Sequence, residues 1–511
     1  MPLNAALTDL QEQISALSVN VKEVFGAVGD GVTDDTAAVQ AAIDAGGVTY
    51  FPPGTYICTT LQMKTGTVLA GAGRSGFITT PSSQASTIKL KNGTNASLIN
   101  GADQVSNVVI RNLNFDGNKA NNASGNIINL ANGSAQDTAW HITDCFLNNS
   151  ANDGIFVGTG RQAVRVSRTW VMRSDNNGIV LNGNDGGLSN VLVGLSASNS
   201  VYIGASVQHL TDCDFWSSTG RGIVNENASM VSISGCGIDR HQLSGVNVIS
   251  GDVVIRGCLF HSNGQAANNA HPHIKLDAGQ TTVSDCIFGA DGFANNPNYA
   301  ILAAGTATVR ESGNQVAAGS YVTGYLSDVT KVVSDSPTFQ AYDHGYTTWT
   351  HSPDSLRSSG DGTTAGVVYL AKVKIPHPTT VDTIHVGVVT AGTTLTAGQN
   401  FVALYNSSGT LLATSADQAA AWATTGRKDA AITAQFLAAG SYYVAILANG
   451  TTPPVFATGA GHGSASTTNG LLTTATSRFL TSGAGQTAMP ASITLSSGTP
   501  NSGARWAALS A

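Results

Sequence analysis

The amino-acid sequence predicts an all-β protein whose central part is a right-handed parallel β-helix. Segments of roughly 22 to 28 residues repeat between positions 105 and 315, which is the range of a solenoid coil. Each copy contains a short strand, a turn, and a second strand that begins after a glycine. Five of the six cysteines lie at the same place in their copies. A chain of 511 residues exceeds one ordinary globular core, so a long stack of repeats also accounts for its length.

The composition favours strands and turns and excludes several classes of protein. Glycine contributes 58 residues and charged residues only 11% of the chain, which is unlike a helical enzyme. The net charge of −7 lacks the basic surface of a nucleic-acid-binding protein. Neither a membrane-spanning apolar run nor a signal peptide is recognisable. We therefore expect no nucleic-acid partner, no membrane insertion, and synthesis in a reducing cytosol.

The repeated cysteines indicate an inward-facing row. They are Cys145, Cys213, Cys236, Cys258 and Cys286, and Leu113 and Thr169 fill the same place in two other copies. Buried thiols behave as compact hydrophobes, so we expect free thiols rather than metal ligands. Four glycines lie nine residues after this place, and we expect each to occupy a bend that a Cβ would obstruct; these are Gly154, Gly178, Gly222 and Gly245.

Residues 1–24 are predicted to form a short coiled coil. Apolar side chains recur there at alternating spacings of three and four, namely Leu7, Leu10, Ile14, Leu17, Val21 and Val24. An amphipathic helix packed on its own chain is the alternative. The narrow apolar stripe favours self-association over packing on a core, so we predict a parallel homotrimer.

A short helix is predicted after the coiled coil. It runs over residues 37–44, begins after a glycine-rich turn and ends at Gly46 and Gly47. Asp34 and Asp35 stand at its start, where carboxylates commonly cap a helix. We interpret these two residues as structural rather than as a catalytic pair. A strand at 48–51 and a Pro-Pro-Gly turn follow.

Three segments in this region carry a family resemblance. They are GDGVTDDTAAVQAAID at 29–44, FPPGTY at 51–56 and VLAGAGRSG at 68–76. Together they resemble the pectate-lyase-like right-handed β-helix superfamily, in particular its phage tail-spike and tail-fibre (minor tail protein) branch. A helix at this place would cover the open edge of the first coil.

The resemblance also implies a function. It implies a protein of the virion tail that binds host cell-surface polysaccharide, either as a non-catalytic adhesin or as a depolymerase. The implied partners are two further copies of the chain, the polysaccharide, and other phage tail proteins contacted through the N-terminus. A free microbial pectate-lyase-like or glycoside hydrolase enzyme is the alternative. The coiled-coil pattern, the missing signal peptide and the C-terminal sequence count against that alternative.

Candidate site residues lie three to eight positions after the cysteine position, where each copy turns. Neighbouring coils of a β-helix are about 4.8 Å apart, so one or two coils give the carboxyl spacings that glycoside hydrolysis requires. The candidate catalytic residues are Asp239, Asp153 and Asp175. The candidate substrate-binding residues are Trp216, Arg221, Arg240, His241 and His261. Trp216 offers a flat face for a sugar ring, and the arginines suit an acidic polysaccharide.

A structural interpretation competes at these positions, because Asp and Asn commonly cap backbone groups in turns. The scarcity of acidic residues favours binding over cleavage. If the chain is an enzyme, hydrolysis is favoured over a calcium-dependent lyase, which requires a carboxylate cluster. We expect neither a metal nor a cofactor.

The C-terminal third has a different pattern of residues. Alternating apolar and polar residues recur at 367–375, 383–390 and 400–415, and the last of these contains a hairpin at Asn406–Gly409. The pattern predicts an antiparallel β-sandwich for receptor binding or trimerisation. The predicted domains are therefore the coiled coil 1–24, the β-helix 25–335 and the sandwich 336–511.

Overall fold

The computed structural model describes residues 18–75, 84–133, 139–289, 293–317, 323–328, 331–332, 340–459 and 464–511. The chain divides into two compact units, Met1–Val322 and Thr323–Ala511, so the division lies before the predicted boundary at residue 335. In the described ranges, no helix is both long and apolar enough to cross a membrane.

The N-terminal unit contains three parallel sheets, which we name A, B and C. Sheet A consists of Ser18–Asn20, Val48–Phe51, Val68–Gly71, Val108–Arg111, Trp140–Thr143, Arg165–Ser167, Gly187–Ser189, Gln208–Thr211, Val231–Ser234, Val253–Arg256, Gln280–Ser284 and Thr308–Ser312. Sheet B consists of Asp30–Asp34, Gly54–Cys58, Ser86–Leu90, Asn114–Asp116, Phe146–Asn148, Trp170–Met172, Leu192–Gly194, Asp214–Trp216, Gly237–Asp239, Leu259–His261, Ile287–Gly289 and Gln315–Val316. Sheet C contains Leu61–Gln62, Ile99–Gly101, Ile128–Leu130, Ile155–Val157, Ile179–Leu181, Val201–Ile203, Ile223–Asn225, Val246–Val248, Ile274–Leu276 and Tyr299–Ala303. From sheet B's third strand onward each coil adds one strand to every sheet, which confirms the predicted parallel β-helix.

The interior of the coils is filled by apolar residues in register. The middle residue of each three-residue strand of sheet B points inward, and these residues are Phe115, Leu147, Val171, Val193, Phe215, Ile238, Phe260 and Phe288, all at most 1% exposed. The rings of Phe260 and Phe288 stack with their centroids 5.1 Å apart. Burying each such side chain contributes about 1.5 to 3 kcal/mol.

Each coil bends between sheets A and B through one residue with left-handed backbone, directly before the cysteine position. The φ angles lie between 44° and 66° at Asn112, Asp144, Arg168, Asn190, Asp212, Gly235, Gly257, Asp285 and Gly313. The six cysteines are free and buried, which confirms the predicted row of thiols. The Cys145 thiol donates to the carbonyl of Thr143 at 3.2 Å. In the next copy, the Thr169 hydroxyl donates to the Ser167 carbonyl at 2.8 Å, so it makes the same hydrogen bond as the thiol.

The predicted helix is confirmed and extends over Thr36–Ala45. The Asp35 side chain is buried, and its two oxygens accept the backbone N–H groups of Val28 at 2.7 Å and Gly29 at 3.1 Å. Asp34 accepts the backbone N–H of Thr36 at 3.0 Å. Asp34 therefore satisfies a backbone donor at the start of the helix, as predicted, whereas Asp35 satisfies backbone donors of the preceding turn and makes no cap hydrogen bond to the helix.

The predicted coiled coil is wrong for its last part, and residues 1–17 lie outside the described residues. Ser18–Asn20 is a strand that pairs with Val48–Tyr50 of sheet A. Val21 is fully buried, and its backbone N–H donates to the Tyr50 carbonyl at 3.0 Å. Pairing with sheet A satisfies backbone groups that a helix would bond internally, so residues 18–20 do not form the predicted helix.

The described part of the C-terminal unit contains two six-stranded antiparallel sheets and one two-stranded sheet, which confirms the predicted antiparallel sandwich class. One sheet contains Thr348–Trp349, Ala507–Ser510, Thr379–Thr390, Val455–Phe456 and Asp361–Gly362, with Gly426–Leu437 paired to Thr379–Thr390. The other contains Leu411–Thr414, Phe401–Asn406, Gly440–Leu447, Val368–Ile375, Phe479–Ser482 and Thr499–Pro500. Thr393–Leu395 pairs with Gly450–Thr452, and Gly324–Leu326 is a further strand.

The helices are few and short. Besides Thr36–Ala45, the described α-helix is Ala465–Asn469. The 3-10 helices are Lys119–Asn121, Ala341–His344, Pro353–Ser355, Ala421–Ala423, Thr474–Thr476 and Leu495–Ser497.

We predict that Gly178→Ala destabilises the β-helix by about 1 to 3 kcal/mol, because the site has no space for a methyl group. A Cβ at Gly178 would lie 2.1 Å from Cγ1 of Val193 and 2.7 Å from the Ser200 carbonyl oxygen. The matched control is Gly73→Ala, whose methyl would meet no atom within 4 Å. Guanidinium unfolding followed by circular dichroism compares the two variants. Equal unfolding midpoints would contradict the close contact.

Candidate functional site

The strongest candidate site lies on the outer face of sheet B. Because strand residues alternate sides, the first and third residues of each three-residue strand form this face. The third residues are Asp116, Asn148, Met172, Gly194, Trp216, Asp239, His261 and Gly289. The first residues are Asn114, Phe146, Trp170, Leu192, Asp214, Gly237, Leu259 and Ile287.

The structure brings three of the predicted site residues together on this face. Trp216, Asp239 and His261 occupy the same register position on three successive coils. Asp239 and His261 are therefore direct neighbours on consecutive coils. All three side chains are partly exposed, so they form one continuous patch that faces solvent.

Trp216 packs against the preceding coil. Its indole covers Gly194 in the preceding coil, where an added methyl would stand 2.6 Å from Nε1. The guanidinium carbon of Arg240 is 5.6 Å from the centroid of the indole and 5.5 Å from the ring centroid of Phe293. Such distances permit cation–π attraction, which holds the arginine beside the two rings.

Arg240 also pairs with Asp239. Its backbone is left-handed with a φ of 56°, and its N–H donates to the His261 carbonyl at 3.1 Å. The Nε of Arg240 donates to Oδ2 of Asp239 at 2.5 Å. Because both side chains are partly exposed, water screens this pair, and its main effect is to fix the orientation of the carboxylate.

Asp214 completes the patch, and sequence reasoning missed it. It begins the strand that ends in Trp216, and it lies diagonally across from Asp239 in the next coil. Strand geometry places these two α-carbons about 8 Å apart. Partial burial, and then the charge of Asp239, raise the pKa of Asp214 above its usual range. Alternation from the inward Cys213 and Phe215 was the signal that would have placed Asp214 outside.

The interpretation of His241 as a substrate-binding residue is wrong. His241 is fully buried, its Nδ1 accepts the backbone N–H of Ser218 at 3.2 Å, and Nε2 lies 3.1 Å from the Phe215 carbonyl oxygen. It stands five residues after the cysteine position, where the other coils also carry buried polar residues, namely Ser150, Ser174, Ser196, Ser218 and Asn263. Burial lowers the pKa of His241 to about 3, so the imidazole is neutral.

The two remaining candidate carboxylates lie in different environments. Asp153 is 4% exposed, and its Oδ1 accepts the backbone N–H of Asn177 at 3.0 Å and the Asn177 side-chain amide at 3.1 Å. Burial raises the pKa of Asp153. Asp175 is exposed, and its carboxylate pairs with the Lys119 ammonium at 2.6 Å. Asp153 therefore serves the backbone of the turn between sheets B and C, and neither residue belongs to the patch around Trp216.

Arg221 also lies away from this patch. Its backbone N–H donates to Oδ1 of Asn199 at 3.0 Å, at the bend that precedes the sheet C strand Ile223–Asn225. Burial, and then the charge of Arg221, lower the pKa of His271. Of the two predicted substrate-binding arginines, Arg240 therefore lies beside the outer face of sheet B, whereas Arg221 lies at the bend before sheet C.

Comparison with known proteins shows what this unit is similar to. A family model described as rhamnogalacturonase A/epimerase, pectate lyase-like, matches residues 18–238. This part of the β-helix therefore resembles pectate-lyase-like domains. The mannuronan C5-epimerase AlgE4 of Azotobacter vinelandii is 37% identical over 135 residues, which cover 23% of this chain and 22% of that protein. The matched segment thus spans less than a quarter of that relative's length.

Phage proteins are also among the similar proteins. The pre-neck appendage protein of Bacillus phage phi29 is 41% identical over 64 residues, or 12% of this chain and 7% of that protein. The crystal structure of full-length tailspike protein 2 from an Escherichia coli O157:H7 bacteriophage aligns with a TM-score of 0.51 and 16% identity. That alignment covers 96% of this chain and 71% of the tailspike chain. The predicted resemblance to pectate-lyase-like and phage tail proteins is therefore confirmed.

We predict that His241 makes the stability of the parallel β-helix fall as the pH drops below about 6.5. The unfolded chain then binds a proton that the folded chain excludes down to a pH of about 3. The loss amounts to about 3 kcal/mol between pH 6.5 and pH 4. His241→Asn carries the side chain found at the same place in the next coil, and it should remove this component from pH-dependent unfolding. Identical slopes for variant and wild type would contradict the buried, neutral imidazole.

Proposed function

We propose that this chain is a bacteriophage tail-spike or tail-fibre protein that binds a host surface polysaccharide. The proposal rests on one observation above all, the patch of Trp216, Arg240, Asp239 and His261 on the outer face of sheet B. The names of the similar proteins point in the same direction, since they include a mannuronan epimerase and a phage tailspike protein.

The patch has the groups that recognise a sugar. Trp216 presents an apolar ring face, on which the C–H side of a pyranose packs. Arg240 has donors that suit the hydroxyls and carboxylates of an acidic glycan. Asp214 and Asp239 accept hydrogen bonds from sugar hydroxyls. The site therefore favours an acidic or hydroxyl-rich polysaccharide over an apolar ligand.

The same patch supports hydrolysis of the bound glycan. In this proposal Asp214, whose pKa is raised, donates a proton to the glycosidic oxygen. Asp239 removes a proton from a water molecule, which attacks the anomeric carbon as the bond to the leaving oxygen breaks. An inverting reaction, which needs carboxyl groups about 6.5 to 9.5 Å apart with room for that water, is the outcome that this proposal predicts. Of the three predicted catalytic residues, only Asp239 keeps this role.

We further propose that the protein acts as a homotrimer in the virion tail and contacts other tail proteins through its N-terminus. The apolar spacing over Leu7, Leu10, Ile14 and Leu17 supports this assembly. These residues lie outside the described ranges. The relatives named as a phage appendage and a tailspike support a place on the virion rather than a free microbial enzyme.

We expect Trp216→Ala to weaken binding to purified host envelope polysaccharide by roughly tenfold, because the sugar loses its apolar contact. Isothermal titration calorimetry on the full chain measures this loss. Trp170→Ala is the matched control, since Trp170 lies two coils earlier on the same face with the Arg74 guanidinium 4.7 Å from its ring. An equal loss in both variants would remove Trp216 from the binding site.

Incubation with the polysaccharide tests cleavage separately. We expect new reducing ends with the wild type, and their absence with Asp239→Asn and with Asp214→Asn, because each variant lacks one proton-transfer group. Asp285→Asn, which changes an exposed aspartate beside Arg256, should keep full activity. Full activity in Asp239→Asn would refute its catalytic role. Binding without any product from the wild type would leave the chain a non-catalytic adhesin.

A further inference from the structure

A second cluster of reactive side chains lies in the C-terminal unit. His385 lies on Thr379–Thr390, Asp429 on Gly426–Leu437 and Ser510 on Ala507–Ser510. In the antiparallel register, His385 is directly opposite Asp429 on one neighbouring strand. On the other neighbouring strand, Ser510 is opposite Thr383, two residues from His385. The three side chains therefore share one face of the sheet, with the imidazole in the middle.

The distances between these side chains are hydrogen-bond distances. Nδ1 of His385 is 2.8 Å from Oδ1 of Asp429, and Nε2 is 2.9 Å from Oγ of Ser510. An ionised carboxylate only accepts hydrogen bonds, so Nδ1 carries the hydrogen of the neutral imidazole. Nε2 then has a free lone pair, which accepts the Ser510 hydroxyl hydrogen. This tautomer is the one in which a histidine activates a serine as a nucleophile.

The surroundings hold the imidazole and the carboxylate in place. His385 is only 7% exposed, and the Tyr346 ring lies with its centroid 4.9 Å from that of the imidazole. Nε and one terminal nitrogen of Arg427 donate to the two oxygens of Asp429 at 2.9 and 3.0 Å. Partial burial would raise the pKa of Asp429, but hydrogen bonds from His385 and Arg427 outweigh it and hold the pKa low. The His385 imidazole is thus shielded from solvent and held in one orientation, whereas Ser510 is partly exposed.

We propose that Ser510, His385 and Asp429 form an esterase site that hydrolyses small O-acyl esters, such as acetyl groups carried on a hydroxyl. The Ser510 oxygen forms a bond to the ester carbonyl carbon while Nε2 of His385 takes its proton. The bond to the alcohol oxygen then breaks, and His385 returns that proton to the departing alcohol. Water, deprotonated by His385, attacks the acyl-serine, which releases the carboxylic acid and restores Ser510.

This site is independent of the carbohydrate patch on sheet B, because all its residues belong to the C-terminal unit. A purely structural network would use the same hydrogen bonds to tie three strands together. The two roles differ in one property, since only an activated serine forms a covalent bond with an electrophile. The test therefore measures covalent chemistry at Ser510 first and turnover second.

The first measurement exposes the full-length wild type to a fluorophosphonate probe and identifies the modified residue by mass spectrometry. We expect labelling at Ser510, and this result does not depend on whether any variant folds. Ser408, an exposed serine of the same unit, should stay unmodified. Absence of a label on Ser510, or equal labelling of Ser408, would overturn the proposal.

The second measurement is hydrolysis of p-nitrophenyl acetate by the full chain. We expect Ser510→Ala and His385→Gln each to lower kcat/KM by about 100-fold or more, since general-base activation of the serine is lost. Asp429→Asn should lower kcat and leave KM nearly unchanged, because it disturbs the tautomer of His385 and not the contact with the acyl group. The control Ser408→Ala should equal the wild type. Unchanged hydrolysis in Ser510→Ala, with circular dichroism matching the wild type, would refute the esterase site.

Discussion

Parallel pairing between successive coils is the constraint on which the N-terminal unit depends. It places equivalent residues directly above one another, as in the inward column of Phe215, Ile238 and Phe260. Each inward position therefore has to suit the coils above and below it at once. Some outward positions are restricted in the same way, since Trp216 covers Gly194, but others face solvent. The partly exposed residues Trp216, Asp239 and His261 occupy one outward column.

Much of this fold follows from the sequence, because the inward columns repeat recognisable residues. The thiol row and the glycines that follow it were sufficient to predict the coils. The coil that contains Gly187–Ser189, Leu192–Gly194 and Val201–Ile203 escaped notice, since Val191 stands at the cysteine position and Ser200 at the glycine position. Ser200 fits there because its hydroxyl lies 2.8 Å from that of Ser218. The apolar spacing near the N-terminus wrongly predicted that the coiled coil includes Val21. This residue is buried in the core of the β-helix.

The candidate sites were less accessible to sequence reasoning. The outward position of Asp239 and Trp216 was correctly inferred, yet His241 points inward because the left-handed residue before it reverses the alternation. Asp214 was missed because the predicted site covered only the turn, and Asp214 lies on the strand that precedes this turn. His385, Asp429 and Ser510 are far apart in sequence, so only the antiparallel register reveals that they meet. Long-range pairing of this kind leaves no local pattern.

Burial of the thiols affects how the protein responds to oxidants. Five cysteines in the repeats are at most 1% exposed, so dissolved oxygen or peroxide does not reach their sulfur atoms. Burial raises the pKa of Cys145 to about 12, which keeps that thiol in its unreactive, protonated form. A coil stack closed in this way needs no reductant to stay unmodified. Its stability in an aerated medium rests on packing and not on disulfide cross-links, since all six cysteines are free.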